Sequence, residues 1–79
     1  MFEFTLSTVD KVIYEGEVVS VTAPGGAGEL TVLKDHSPLI TTLKKGMVKV
    51  RAQKESNLLE FEIDGGLLET SGNHTTILV

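Results

Sequence analysis

The chain has 79 residues, with 7 Lys plus Arg against 11 Asp plus Glu, a formal charge of −4, two His and no Cys. That length predicts one small domain over residues 1–79 with a single small core, and the lack of Cys removes disulfide and thiolate chemistry. The acidic balance and scattered Lys and Arg exclude non-specific nucleic-acid binding, two distant His make a poor zinc site, and the apolar runs are too short to cross a bilayer.

Met1-Phe2-Glu3-Phe4 lacks the basic start and apolar stretch of a signal peptide, so a non-secreted, soluble protein is expected. The dominant period from there on is two. Phe2, Phe4 and Leu6 alternate with Glu3, Thr5 and Ser7, which predicts a strand with one face in the core. Asp10 to Val18 reads as two short strands meeting at Gly16, with Val12 and Tyr14 on one face and Ile13 on the other. Val18 to Val21 is continuously apolar and β-branched. Such a run fits a strand covered on both faces, or one meeting another subunit.

Pro24-Gly25-Gly26-Ala27-Gly28 is a turn. A phosphate-cradling loop needs Lys and Ser or Thr after its last Gly, whereas Glu29 follows Gly28 and its carboxylate repels phosphate. Asp35-His36-Ser37 holds the residue types of a hydrolytic triad, but neighbours on an extended segment point to opposite faces. The favoured reading makes His36 a corner residue, donating from a ring nitrogen to a backbone carbonyl, with Pro38 stiffening the next strand.

Lys45-Gly46 turns the chain into Val48, Val50 and Ala52, which alternate with Lys49, Arg51 and Gln53. After a turn at Glu55-Ser56-Asn57, Leu59, Phe61 and Ile63 alternate with Glu60, Glu62 and Asp64. If these two strands pair antiparallel, opposite charges face one another, each pair contributing about 0.2–1 kcal/mol. The carboxylate row then reads as a solvated face, not a divalent-ion site. Gly65-Gly66 and Ser71-Gly72-Asn73 are the last turns, and His74 is expected at an exposed edge with no special role. Turns spaced by roughly 8–12 residues predict an all-β fold, an antiparallel sandwich or barrel of two packed sheets.

Several blocks, taken in order, resemble the epsilon-subunit family of F-type ATP synthases. They are Ala23-Pro24, Gly28-Glu29-Leu30, Val32-Leu33, His36-Ser37-Pro38-Leu39, Leu43-Lys44-Lys45-Gly46, Gly65-Gly66 and Thr76-Ile77-Leu78. The resemblance runs from Phe4 to about Val79, over the family's N-terminal domain. It implies a flattened β-sandwich at the foot of the central stalk, between the gamma subunit and the c-ring. It implies a rotor part that is not itself an enzyme, holds no cofactor or metal, and lies peripherally on the cytoplasmic face of the membrane or its organellar equivalent.

By that resemblance Gly28, Glu29 and Leu30 lie on the c-ring side, His36 and Pro38 form the corner, and Gly46, Gly65 and Gly66 serve turns. Lys34-Asp35 stands where many members have Pro-Gly, and Thr31 where many have Gly. Full-size members continue into a two-helix inhibitory domain. The sequence stops at Val79, so coupling of gamma to the ring is expected and helical inhibition is not. The alternative is another small β-sandwich interaction module, or a lipoyl- or biotinyl-type carrier domain, whose modified Lys sits at a hairpin tip. Asp10-Lys11 is too near the N-terminus for that role, and Lys44-Lys45-Gly46-Met47 has the wrong order.

Overall fold

In a computed structural model of the chain, which describes residues 1–52 and 58–79, the alternating segments become strands. Among the described residues these are β1 (Phe2–Ser7), β2 (Val12–Val18), β3 (Ser20–Gly25), β4 (Gly28–Leu33), β5 (Leu39–Leu43), β6 (Gly46–Arg51), β7 (Leu58–Ile63), β8 (Gly66–Ser71) and β9 (His74–Leu78). The predicted turn at Glu55-Ser56-Asn57, and Gln53 with it, lie outside the described residues.

The strands follow the order β2-β1-β9-β8-β5-β3-β6-β7, with β4 on β3. The path folds over at one point. β5 and β3 share a single residue pair, Gly25 with Leu43, whereas β5 and β8 share five. That corner separates a layer of β2-β1-β9-β8-β5 from a layer of β4-β3-β6-β7. Pairing is antiparallel as expected, with one departure: β1 and β9 run parallel. These are the first and last strands, so no short hairpin dictates their direction.

Alternation works as the sequence suggests. Phe2, Phe4 and Leu6 of β1 are buried and join one cluster with Val21, Val32, Val48, Leu68, Ile77 and residues of the other strands. Tyr14 spans the two layers, its ring centroid 6.1 Å from that of Phe4 and 5.8 Å from that of Phe61. Two polar side chains also enter the core. Thr70 and Thr75 stand opposite one another, and their hydroxyls satisfy each other at 2.8 Å.

Three expectations are corrected. First, Asp10 to Val18 holds one strand, not two meeting at Gly16. Gly16 pairs with Phe4 in mid-ladder, because β1 supplies a template on both sides of it. Second, Val12 and Tyr14 do not share a face. The register slips between Leu6 and Ser7, so Ile13 is the extra residue and both Val12 and Ile13 are exposed. Third, Val18 to Val21 is not a strand covered on both faces. Val18 ends β2 and Val21 belongs to β3, with a bend at Val19 carrying the chain between layers. The run is apolar because both flanking strands send residues into the core there. Val19 N–H is bonded to the Arg51 carbonyl at 2.6 Å.

The β6–β7 pairing also refines the charge row. Lys49 faces Glu60, but Arg51 faces Leu58, Glu62 faces Met47, and Asp64 lies past the strand. Leu59 has inward parity yet stays exposed, since β7 is the outermost strand of its layer.

Candidate functional site

The ladder sorts the connections onto two ends of the sandwich. One end gathers Val9-Asp10-Lys11, the Gly26-Ala27 hairpin, Lys44-Lys45, Asp64-Gly65 and Val79. The opposite end carries Met1, the Val19 bend, the corner of residues 34–38 and the Gly72-Asn73 hairpin. β4 runs between them over six residues, about 20 Å of extended chain. The residues expected to act as sites are therefore not brought together. Gly28 and Glu29 start β4 at the first end, whereas His36 and Pro38 follow it at the second.

At the first end Gly28 and Glu29 are exposed, but Leu30 turns inward and packs against the core. The hairpin is tied to its neighbour by Gly26 N–H to the Thr42 carbonyl at 3.1 Å and by Lys44 N–H to the Pro24 carbonyl at 2.9 Å. Glu29, Asp10 and Asp64 share this end with Lys11, Lys44 and Lys45, all exposed. It is a polar surface of mixed sign.

The glycines here differ in their reasons. Gly65 has φ of 134°, a backbone state that side chains rarely adopt. Gly46 and Gly66 are the first residues of strands and have no positive φ. A Cβ on Gly46 would stand 3.0 Å from Pro24, and one on Gly66 would stand 2.5 Å from the Leu78 carbonyl oxygen. Turn reasoning missed this, because close approach depends on strands far away in sequence.

At the second end, His36 N–H is bonded to the Leu33 carbonyl at 3.2 Å. Asp35 has φ of 65°, and Lys34 is not among the positive-φ residues. This is the pattern of a type II turn, whose two central places favour Pro and Gly. The His36 ring folds onto its own corner, Nδ1–H donating to the Ser37 carbonyl at 2.6 Å. It thus meets main chain rather than the Ser37 hydroxyl, and Asp35 does not complete a relay with it. Replacing Lys34-Asp35 by Pro-Gly is expected to stabilise the fold by about 1 kcal/mol, by pre-setting the turn. Thermal unfolding checks this, and an unchanged or lower midpoint counts against the turn assignment.

The outer face of the β2-to-β5 layer is the other notable surface. Register places Glu17 beside Glu3, and Glu15 in one row with Thr5, Thr76, Glu69 and Ile40. Leu67 lies between Thr42 and Leu78 in the next row. Ile40 is 66 % exposed, Leu67 42 % and Leu78 40 %. An apolar patch with an acidic flank results. His74, at the edge of this face, has a contact that sequence reading missed, Nε2 to the Thr5 hydroxyl at 3.2 Å.

Among the described residues, no three His, Asp or Glu side chains cluster in a way that holds a metal ion, and no helix is long and apolar enough to cross a membrane. The features on display are surfaces rather than convergent reactive groups.

Comparison with known proteins agrees in kind. The family model for the β-sandwich domain of the ATP synthase delta/epsilon chain matches residues 1–79. An ATP synthase epsilon chain of Chlorobium limicola is 39% identical over 77 residues, covering 98% of this chain and 86% of that one. An ATP synthase epsilon chain of Dichelobacter nodosus is 37% identical over 78 residues, covering 98% of this chain but 53% of the longer relative. In fold, the chain is similar to one from the central stalk and c-ring of Tetrahymena thermophila mitochondrial ATP synthase. The TM-score is 0.80 at 23% identity, covering 98% of this chain and 61% of that one.

Proposed function

The chain belongs to the ATP synthase delta/epsilon-chain β-sandwich family, and from that membership we propose that it works as an epsilon-type rotor part of an F-type ATP synthase, joining the gamma subunit to the c-ring. The observation that carries the reading is a family match over all 79 residues, joined by epsilon-chain relatives at 37–39% identity. In this role the domain is non-catalytic and transmits torque by contact. It sits peripherally on the membrane face that carries the catalytic head, the cytoplasmic face in a bacterium. The described residues form the sandwich alone, and inhibition by a helical tail is not assigned to them.

The two surfaces suit two partners. The exposed patch of Ile40, Leu67 and Leu78 supplies apolar area for docking on gamma. The mixed-charge end with Glu29, Lys44 and Lys45 suits the polar loops of a c-ring. A loop carboxylate there orients the contact more than it tightens it. His36 and Pro38, at the far end, hold the corner between β4 and β5 and touch neither ring nor reactant.

Binding to purified gamma tests the assignment. Ile40→Asp is expected to weaken it about thirtyfold, the loss of a central apolar anchor worth ~2 kcal/mol. Glu29→Arg is expected to leave gamma affinity unchanged. In membranes stripped of epsilon and reconstituted, it loosens attachment to the ring severalfold, a rim ion pair's ~1 kcal/mol. Full gamma affinity in the Ile40 variant would remove the docking face. No binding of the parent chain to gamma would remove the function.

A further inference from the structure

We propose that the open seam between β2 and β7 takes up an extended basic peptide segment of a partner protein, added as a strand along the free edge of β7. This goes beyond the rotor role and does not use the Ile40 face, although Asp64, Gly65 and Val79, which line the seam, belong to the same end as Glu29.

Among the described residues, β2 and β7 are the two termini of the hydrogen-bonded path, and they do not pair with each other. A groove of about 510 Å³ lies at their junction. Six consecutive residues, Glu60 to Gly65, line it. Strand side chains alternate between faces, so an unbroken run along a wall means that the main-chain edge itself forms that wall. Leu6, Ile13, Ile63 and Val79 add apolar side chains to the lining. Tyr14 of β2 packs against Phe61 of β7, with centroids 5.8 Å apart, and does not line the groove.

Edge strands are normally guarded by Pro, Lys, bulges or strong twist. β2 has its bulge beside Leu6. β7 pairs with β6 in regular register over all six residues and holds no Pro or Lys. Its carboxylates select the occupant. Glu62 and Asp64 have no basic residue opposite them in the β6 ladder, while Glu60 faces Lys49. A second copy of this acidic chain added at β7 would bring like charges together along the edge, which is unfavourable. A strand alternating basic and apolar residues instead meets the carboxylates with one face and the apolar lining of Leu6, Ile63 and Val79 with the other. Main-chain bonding supplies affinity and the alternation supplies selection.

The probe is a fluorescein-labelled eight-residue peptide of alternating lysine and valine, titrated by anisotropy against the 79-residue chain. Saturable binding is expected, with new slow-exchanging amides confined to residues 60–64. Two N-methylated peptides, each blocking one alternate set of amides, separate strand addition from charge attraction. At least one is expected to bind tenfold more weakly or worse. Glu62→Lys with Asp64→Lys is expected to cost about tenfold, and both sites are exposed, so the fold persists. Binding of both methylated peptides as tightly as the unmethylated one overturns the proposal. So does protection along β4 or β2 instead, equal binding of a glutamate–valine peptide, or dimerisation of the chain through β7.

Discussion

Phe4→Ala is expected to remove about 3–5 kcal/mol of the fold's stability, about a quarter or more of what a domain of this size holds. Phe4 is 0 % exposed, lies on β1 between β2 and β9 and rests against Tyr14, the ring that bridges to Phe61 of the other layer. Truncating a buried Phe costs about 3–5 kcal/mol, part transfer and part cavity. A domain of this size has only about 4–12 kcal/mol in hand, at 0.05–0.15 per residue. The cavity also cannot collapse easily, because β1 is clamped between β2 and β9. Phe4→Leu retains most of the volume and is expected to cost about 1 kcal/mol. Urea titration followed by circular dichroism checks both. A loss under about 1 kcal/mol in the Ala variant would mean that Phe4 is not at the centre of the core.

The second large effect comes from adding one carbon. Gly66→Ala is expected to cost about 3 kcal/mol, the upper part of the overpacking range. The new Cβ would meet the Leu78 carbonyl oxygen at 2.5 Å and Val79 Cγ1 at 3.1 Å. The first obstacle is backbone, so no rotamer change relieves it and β8 must draw away from β9. Gly65→Ala is a useful contrast. Its nearest obstacle is the Leu43 carbonyl oxygen at 3.4 Å, an ordinary contact, and its cost is the φ of 134°, about 1–3 kcal/mol of local strain. Hydrogen exchange separates the two mechanisms. The Gly66 variant is expected to lose amide protection along Leu67–Leu78, and the Gly65 variant to keep it. Preserved protection in the Gly66 variant would contradict the close approach of the two strands.

The candidate surfaces were legible to different degrees. Glu29 could be placed just after a turn and Lys44-Lys45 in one, because Gly28 and Gly46 punctuate the pattern beside them. The corner at His36 was readable for the same reason, and the structure adds that Asp35 occupies the place where a type II turn favours Gly. The acidic and apolar face of the first layer was not readable. Ile40, Leu67 and Leu78 lie on three strands, and only the β5-β8-β9 order makes them neighbours. Thr70 and Thr75 gave no sign of burial either, since the partner that satisfies each hydroxyl is fixed by the pairing of β8 with β9.

By itself the sequence determined that the chain is all-β, where most strands lie, and which face of β1, β6 and most of β7 turns inward. These follow from period-two alternation and turn chemistry, which act over a few residues. Tertiary structure alone decided the parallel pairing of β1 with β9, the slip that exposes Val12, the bend at Val19, the reason for Gly66 and the seam beside β7. Each depends on which distant strands become neighbours and how closely they approach. That is a matter of closing long loops and filling one shared core, and local periodicity carries no record of it.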